Sequence, residues 1–131
     1  MAKPTPTSDP TGAAVPSLAG RRVLLVEDEY MLAEDLRAEI ERQGADVLGP
    51  AANVADALMF LARGPAPHVA ILDINLQGEM VYPVADALRA RGIPFVFATG
   101  YEAWAIPEAY ADVPRVEKPV EQKRIAEALG R

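Results

Sequence analysis

Acidic, hydroxyl and lysine side chains recur in this chain directly after short runs of apolar residues. Val23-Leu24-Leu25-Val26 is followed by Glu27, Asp28 and Glu29, and Val69-Ala70-Ile71-Leu72 by Asp73. Phe95-Val96-Phe97-Ala98 is followed by Thr99 and Gly100, and Arg115-Val116-Glu117 by Lys118 and Pro119. In open parallel sheets, ligands bind outside the carboxyl ends of the strands, so residues just after strands converge on one site. There Glu27, Asp28 and Asp73 would crowd negative charge that a cation must relieve. Hard oxygen ligands with open positions suit Mg2+, which keeps several waters and takes a phosphate as a further ligand. A carboxylate can attack a phosphoryl group to give an acyl phosphate. Lys118 would supply a balancing charge and the Thr99 hydroxyl a hydrogen bond to the transferred group. Every residue type needed for Mg2+-assisted phosphoryl transfer to Asp73 is present.

The elements that must position these groups follow from periodicity. Unbroken apolar runs such as Val23–Val26, Val69–Leu72 and Phe95–Ala98 are expected of strands covered on both faces. Leu32, Leu36 and Ile40 recur every four residues, the stripe of an amphipathic helix, and Gly44 stands where that helix should stop. Ala45 to Leu48 reads as a weaker strand closed by Gly49-Pro50. Asn53 is a natural N-cap for a helix carrying Val54, Leu58 and Leu61. Ile74 to Gly78 reads as a loop, and Pro83 to Ala90 as a helix with Pro83 in its first turn. The stretch between Tyr101 and Arg115 contains Pro107 and Pro114, so a helix there is short or irregular and easily reordered. Arg115 to Glu117 is a last strand, and Glu121 to Leu129 a closing helix. The expected fold class is α/β, a doubly wound five-stranded parallel sheet.

Length and composition narrow the function classes. The chain has 131 residues, enough for one cored domain. Residues 1–19, with Pro4, Pro6, Pro10 and Pro16 among Thr, Ser, Gly and Ala, read as a tail that cannot bury enough surface to offset its ordering entropy. Residues 20–131 read as the folded domain. Net charge is −6, with no clustered basic patch, which argues against nucleic acid as a partner. No apolar run approaches membrane-spanning length, and no membrane partner is expected. Cysteine is absent, which rules out disulfides and fits a cytoplasmic location.

The motifs VLLVEDE, AILDINL, FATGY and VEKP, in that order, resemble those of response-regulator receiver domains over residues 21 to about 130. The resemblance implies a flavodoxin-like receiver topology with Asp73 as phosphoacceptor. It also implies Mg2+ held directly by Asp28, through water by Glu27, and by Asp73 and the backbone carbonyl of Asn75. Thr99 and Lys118 would contact the phosphoryl group, and the Lys118-Pro119 bond is commonly cis in this family. The implied partners are a histidine kinase or histidine phosphotransfer protein, and a downstream regulator protein. PFVFATGY, Pro94 to Tyr101, further resembles the FAT GUY group of alphaproteobacterial single-domain regulators, tied to general stress signalling. Many receivers carry an aromatic switch residue three positions before the lysine; here that position is Arg115. Switching is therefore expected through Thr99, Gly100 and Tyr101.

Each residue also has a plainer reading. Asp28 could lie in a solvated acidic turn and Lys118 in an exposed one, but the ordered set favours a site. His68, the sole histidine, starts a strand and reads as structural rather than phosphotransferring. Trp104 reads as loop packing, and Met31, Met59 and Met80 as core or boundary residues. A small aspartyl-phosphate phosphatase would place a second acid two residues after its nucleophile, where this chain has Asn75. A flavin module would need a phosphate loop after the first strand, and the acidic EDEY repels phosphate. Catalysis beyond self-phosphorylation and self-dephosphorylation is not expected.

Overall fold

The first strand, β1 (Arg22–Val26), alternates its side chains between two apolar layers: Val23 and Leu25 on one face of the sheet, Leu24 and Val26 on the other. The structure, a computed structural model, describes residues 18–99 and 106–117. Helix α1 (Tyr30–Arg42) covers one layer with Leu36 and Ile40, while α2 (Val54–Arg63) and α3 (Tyr82–Ala90) cover the other. The remaining strands are β2 (Asp46–Ala51), β3 (Val69–Asp73), a pair β4 (Asn75–Leu76) and β5 (Glu79–Met80), β6 (Phe95–Thr99) and β7 (Arg115–Glu117). The main sheet runs β2-β1-β3-β6-β7, and every pairing in it is parallel. The chain therefore goes outward from β1 to β2, then returns to lay β3 on the other side of β1. That reversal is the topological switch point of a doubly wound sheet.

Helix boundaries follow the local chemistry. The Asn53 side chain accepts from the Asp56 N–H at 2.8 Å and starts α2 as a cap. Gly44, at φ +87°, ends the turn after α1 in a conformation that favours glycine. Leu18, two residues before the boundary read from composition, is buried in the α1-side layer. His68 is structural: its Nδ1 accepts from Arg22 N at 2.8 Å, and its own N–H donates to Arg22 O at 2.9 Å.

Three local expectations are corrected. First, β2 does not stop at Leu48 but continues through Gly49-Pro50 to Ala51, with a register shift against β1 between Leu24 and Val26. An edge strand tolerates proline because only one side must pair. Gly49 is required there, since a Cβ would stand 2.8 Å from the Leu25 carbonyl. Second, Ile74 to Gly78 is not a plain loop: β4 and β5 form an antiparallel hairpin whose turn holds Gln77 and Gly78 at positive φ. Third, Met31, Met59 and Met80 are exposed rather than core or boundary. On α1 the buried line is Ala33, Leu36 and Ile40, which leaves Met31 off it.

Between β6 and β7 the described part carries only a single 3-10 turn, Glu108–Tyr110, in keeping with a short or irregular fourth helix. It is not loose. The Tyr110 ring stacks on Tyr82 with centroids 4.6 Å apart, and its hydroxyl donates to Asp86 at 2.7 Å. Arg89 lies over the same ring, donates to Ala109 O at 2.9 Å, and pairs with Asp112 at 2.6 Å. Residues 106–112, expected to be easily reordered, are thus fastened to α3. Tyr110→Phe keeps the ring and removes the hydroxyl bond, and should cost about 1 kcal/mol in urea unfolding. The bond to Asp86, then burial, raises the Tyr110 phenol above its ordinary value. Its contribution should therefore be full below the usual phenol range and fade as pH rises through the raised value, which ultraviolet titration of wild type and Tyr110→Phe would follow.

Candidate functional site

The switch point brings together the ends of β1 and β3. Asp73 is the last residue of β3, paired in register with Ala98 of β6, and is 4% exposed. Glu27 follows β1 and is 3% exposed, and Asp28 beside it is half-buried. One carboxylate oxygen from each of Glu27, Asp28 and Asp73 lies within 4.8 Å of the others. The first loop is held firmly: Glu27 N donates to Ala51 O at 2.9 Å, and the Glu27 Oε2 accepts from Glu29 N at 3.1 Å. Glu29 itself points away from this task. Its side chain accepts from Leu32 N at 2.8 Å and caps α1, so the acidic run divides into two members of the carboxylate cluster and one helix cap.

Asn75, two residues after Asp73, opens the hairpin. Its Oδ1 accepts from Gly78 N at 2.6 Å, which commits the side chain to the turn and leaves the backbone carbonyl as the ligand that could serve a metal. Thr99 ends β6, and its backbone pairs with Glu117, the residue before Lys118. Gly100, Tyr101, Trp104, Lys118 with its bond to Pro119, and the helix expected over 121–129 all lie outside the described residues. Arg115 is exposed on β7. Glu79 was missed by sequence reasoning: its Oε1 accepts from Val54 N at 3.2 Å, linking the hairpin to the start of α2. No local pattern marks that contact, which spans 25 positions.

Two nearly inaccessible carboxylates and a third at their edge repel one another strongly in a medium less polar than water. The donors are all oxygen, the set chosen by a hard divalent cation rather than by zinc or copper. The three carboxylates fit a hard divalent ion such as Mg2+, and Glu27, Asp28 and Asp73 are the residues that could hold it. Among the described residues, no helix is long and apolar enough to cross a membrane.

No family model matches the chain. It is 40% identical to SdrG from Sphingomonas melonis Fr1, whose solution structure superposes with a TM-score of 0.74 over 83% of this chain and 92% of that one. A solved structure of the PhyR stress response regulator is 28% identical, with a TM-score of 0.71, over 87% of this chain and 45% of that one. The sensory transduction protein LytT of Bacillus anthracis is 31% identical over 82% of this chain. The chain spans about half the length of the curated relatives it matches, 45% in the case of LytT. With a five-stranded parallel sheet, an acidic switch point and these relatives, the chain belongs to the response-regulator receiver family, whose members are switches in phosphorelay signalling.

Proposed function

We propose that Asp73 accepts a phosphoryl group from the phosphohistidine of a histidine kinase or histidine phosphotransfer protein. The observation that carries this reading is the near-burial of Asp73 between β1 and β6, with the carboxylates of Glu27 and Asp28 beside it. A carboxylate oxygen of Asp73 attacks phosphorus, the P–N bond to the donor imidazole breaks, and the imidazole leaves with a proton. Asp28, Asp73 and the Asn75 carbonyl would hold Mg2+ directly and Glu27 would do so through water. The ion, when bound, offsets the charge that gathers on the phosphoryl oxygens. Thr99 and Lys118 would bind the same oxygens, and the loop Thr99-Gly100-Tyr101 would carry the change outward. Farther along, Tyr110 is fastened to α3 by its stacking on Tyr82 and its bond to Asp86.

The protein signals rather than turning over a small substrate. Where an aspartyl-phosphate phosphatase needs a second acid, Asn75 is spent on the Gly78 N–H. The output is contact with a downstream regulator or sharing of phosphate, in the cytoplasm. The similarity to PhyR, a stress response regulator, places the general stress response first among settings to test. Beryllofluoride, a phosphoryl mimic, should bind in the presence of Mg2+ and not in its absence. Asp28→Asn, which removes one charged ligand, should weaken Mg2+ binding by about tenfold or more. Calorimetry on wild type and variant decides it. Binding of beryllofluoride without Mg2+, or unchanged Mg2+ affinity in Asp28→Asn, would count against this site.

A further inference from the structure

The hairpin that follows Asp73 is anchored from two sides. At its base, Val81 N donates to Ile74 O at 2.9 Å, and Ile74, Leu76 and Val81 are all buried. At its outer strand, Glu79 Oε1 accepts from Val54 N at 3.2 Å. Val54 is the first residue of α2, so its N–H has no partner within the helix, and a carboxylate there also meets the positive end of the helix dipole. The Asn53 side chain serves a different N–H, that of Asp56. Three residues before Val54 lies Ala51, whose carbonyl accepts from Glu27 N. The contacts form a continuous chain tying together the elements that carry the acidic residues. It runs from Glu27 to the end of β2, through the short link to α2, across Glu79 to the hairpin, and on to Asp73.

We propose that Glu79 is a positioning residue for the metal site, holding the hairpin so that the Asn75 backbone keeps its place relative to the carboxylates of Glu27, Asp28 and Asp73. The inference rests on the reading of that pocket as a Mg2+ site. Mg2+ demands near-ideal octahedral geometry, so a ligand on a shifted backbone binds it poorly. The hairpin strands are two residues each, too short to hold their own pose, and Glu79 is the tie on the side facing α2. Nothing else in the role of Glu79 requires contact with the ion.

The test uses the whole chain with Mg2+ alone as probe, followed by calorimetry and by hydrogen exchange at the Val54 amide. Glu79→Ala should lower Mg2+ affinity about tenfold, the low end of what a partner behind a metal ligand costs, and should unprotect Val54 N–H. Glu79→Gln keeps an acceptor oxygen and should restore most of the affinity. Loss of charge alone would leave Gln as weak as Ala. Asn53→Ala removes the other cap of α2, and should weaken the helix while leaving Mg2+ affinity unchanged. Wild-type affinity in Glu79→Ala, equal loss in Gln and Ala, or a matching loss in Asn53→Ala would each overturn the inference. If wild type itself takes up no Mg2+, the reading of the pocket fails first and the role of Glu79 falls with it. Tight wild-type binding with an indifferent Glu79→Ala overturns the role of Glu79 alone.

Discussion

Replacing Asp73 by asparagine is expected to reduce phosphoryl labelling by an active histidine kinase, ATP and Mg2+ to background, a loss on the order of a thousandfold or more. The substitution is close to isosteric, so the shape of the pocket survives while the nucleophilic oxygen pair does not. Glu27 is nearly as buried and Asp28 sits beside it, yet neither stands at the end of β3 between β1 and β6. They should not take over the label. The same variant removes one of three crowded carboxylates. Its melting temperature without Mg2+ should therefore not fall, which separates loss of chemistry from loss of fold. Hydroxylamine-sensitive label that persists on folded Asp73→Asn would assign the phosphate to another residue.

Phe97→Ala should produce the largest loss of stability, about 3–5 kcal/mol in urea unfolding, against a total of roughly 5–15 kcal/mol for a domain of this kind. Phe97 is fully buried at the middle of β6, and its ring meets those of Phe95 at 5.8 Å, Tyr82 at 6.1 Å and Tyr110 at 6.2 Å. Removing it takes away apolar area and also leaves a void between the sheet, α3 and the Glu108–Tyr110 turn, because surrounding rings collapse only partly. Phe97→Leu fills most of that space and should cost roughly 1 kcal/mol. A cost below that for Phe97→Ala would mean that Tyr82 and Tyr110 close the gap and that this aromatic cluster is softer than its geometry implies. Because Phe97 stands two residues before Thr99, the alanine variant should also loosen the strand end on which the proposed phosphoryl contacts depend.

The site was legible at the level of residue types because a parallel sheet converts position along the sequence into position in space. Residues that follow apolar runs must meet at one edge of the sheet, so Glu27, Asp28 and Asp73 could be gathered before any coordinates. The same logic could not divide the acidic run. Whether Glu29 joins the pocket or caps α1 depends on where the helix begins, and the Leu32 N–H decides it. The three methionines were misplaced because apolar type is a weak guide to the burial of a single residue: Met31 near the start of α1, Met59 on the outer side of α2 and Met80 on the hairpin are all exposed.

What the sequence determined by itself was the alternation of buried strands and amphipathic helices, and with it the doubly wound sheet and its acidic switch point. These rest on local periodicity and on handedness rules that leave few topologies open. What only the tertiary structure decided were contacts between residues far apart in the chain. An edge strand can run on through Gly49-Pro50 because its outer side need not pair. A segment of weak helix propensity is held in place because Tyr110 finds Tyr82, Asp86 and Arg89 on α3. Glu79 reaches the first N–H of α2 across 25 positions because the fold sets the hairpin beside that helix end. Such contacts carry no periodic signal: their partners are chosen by packing, and packing exists only once the sheet has formed.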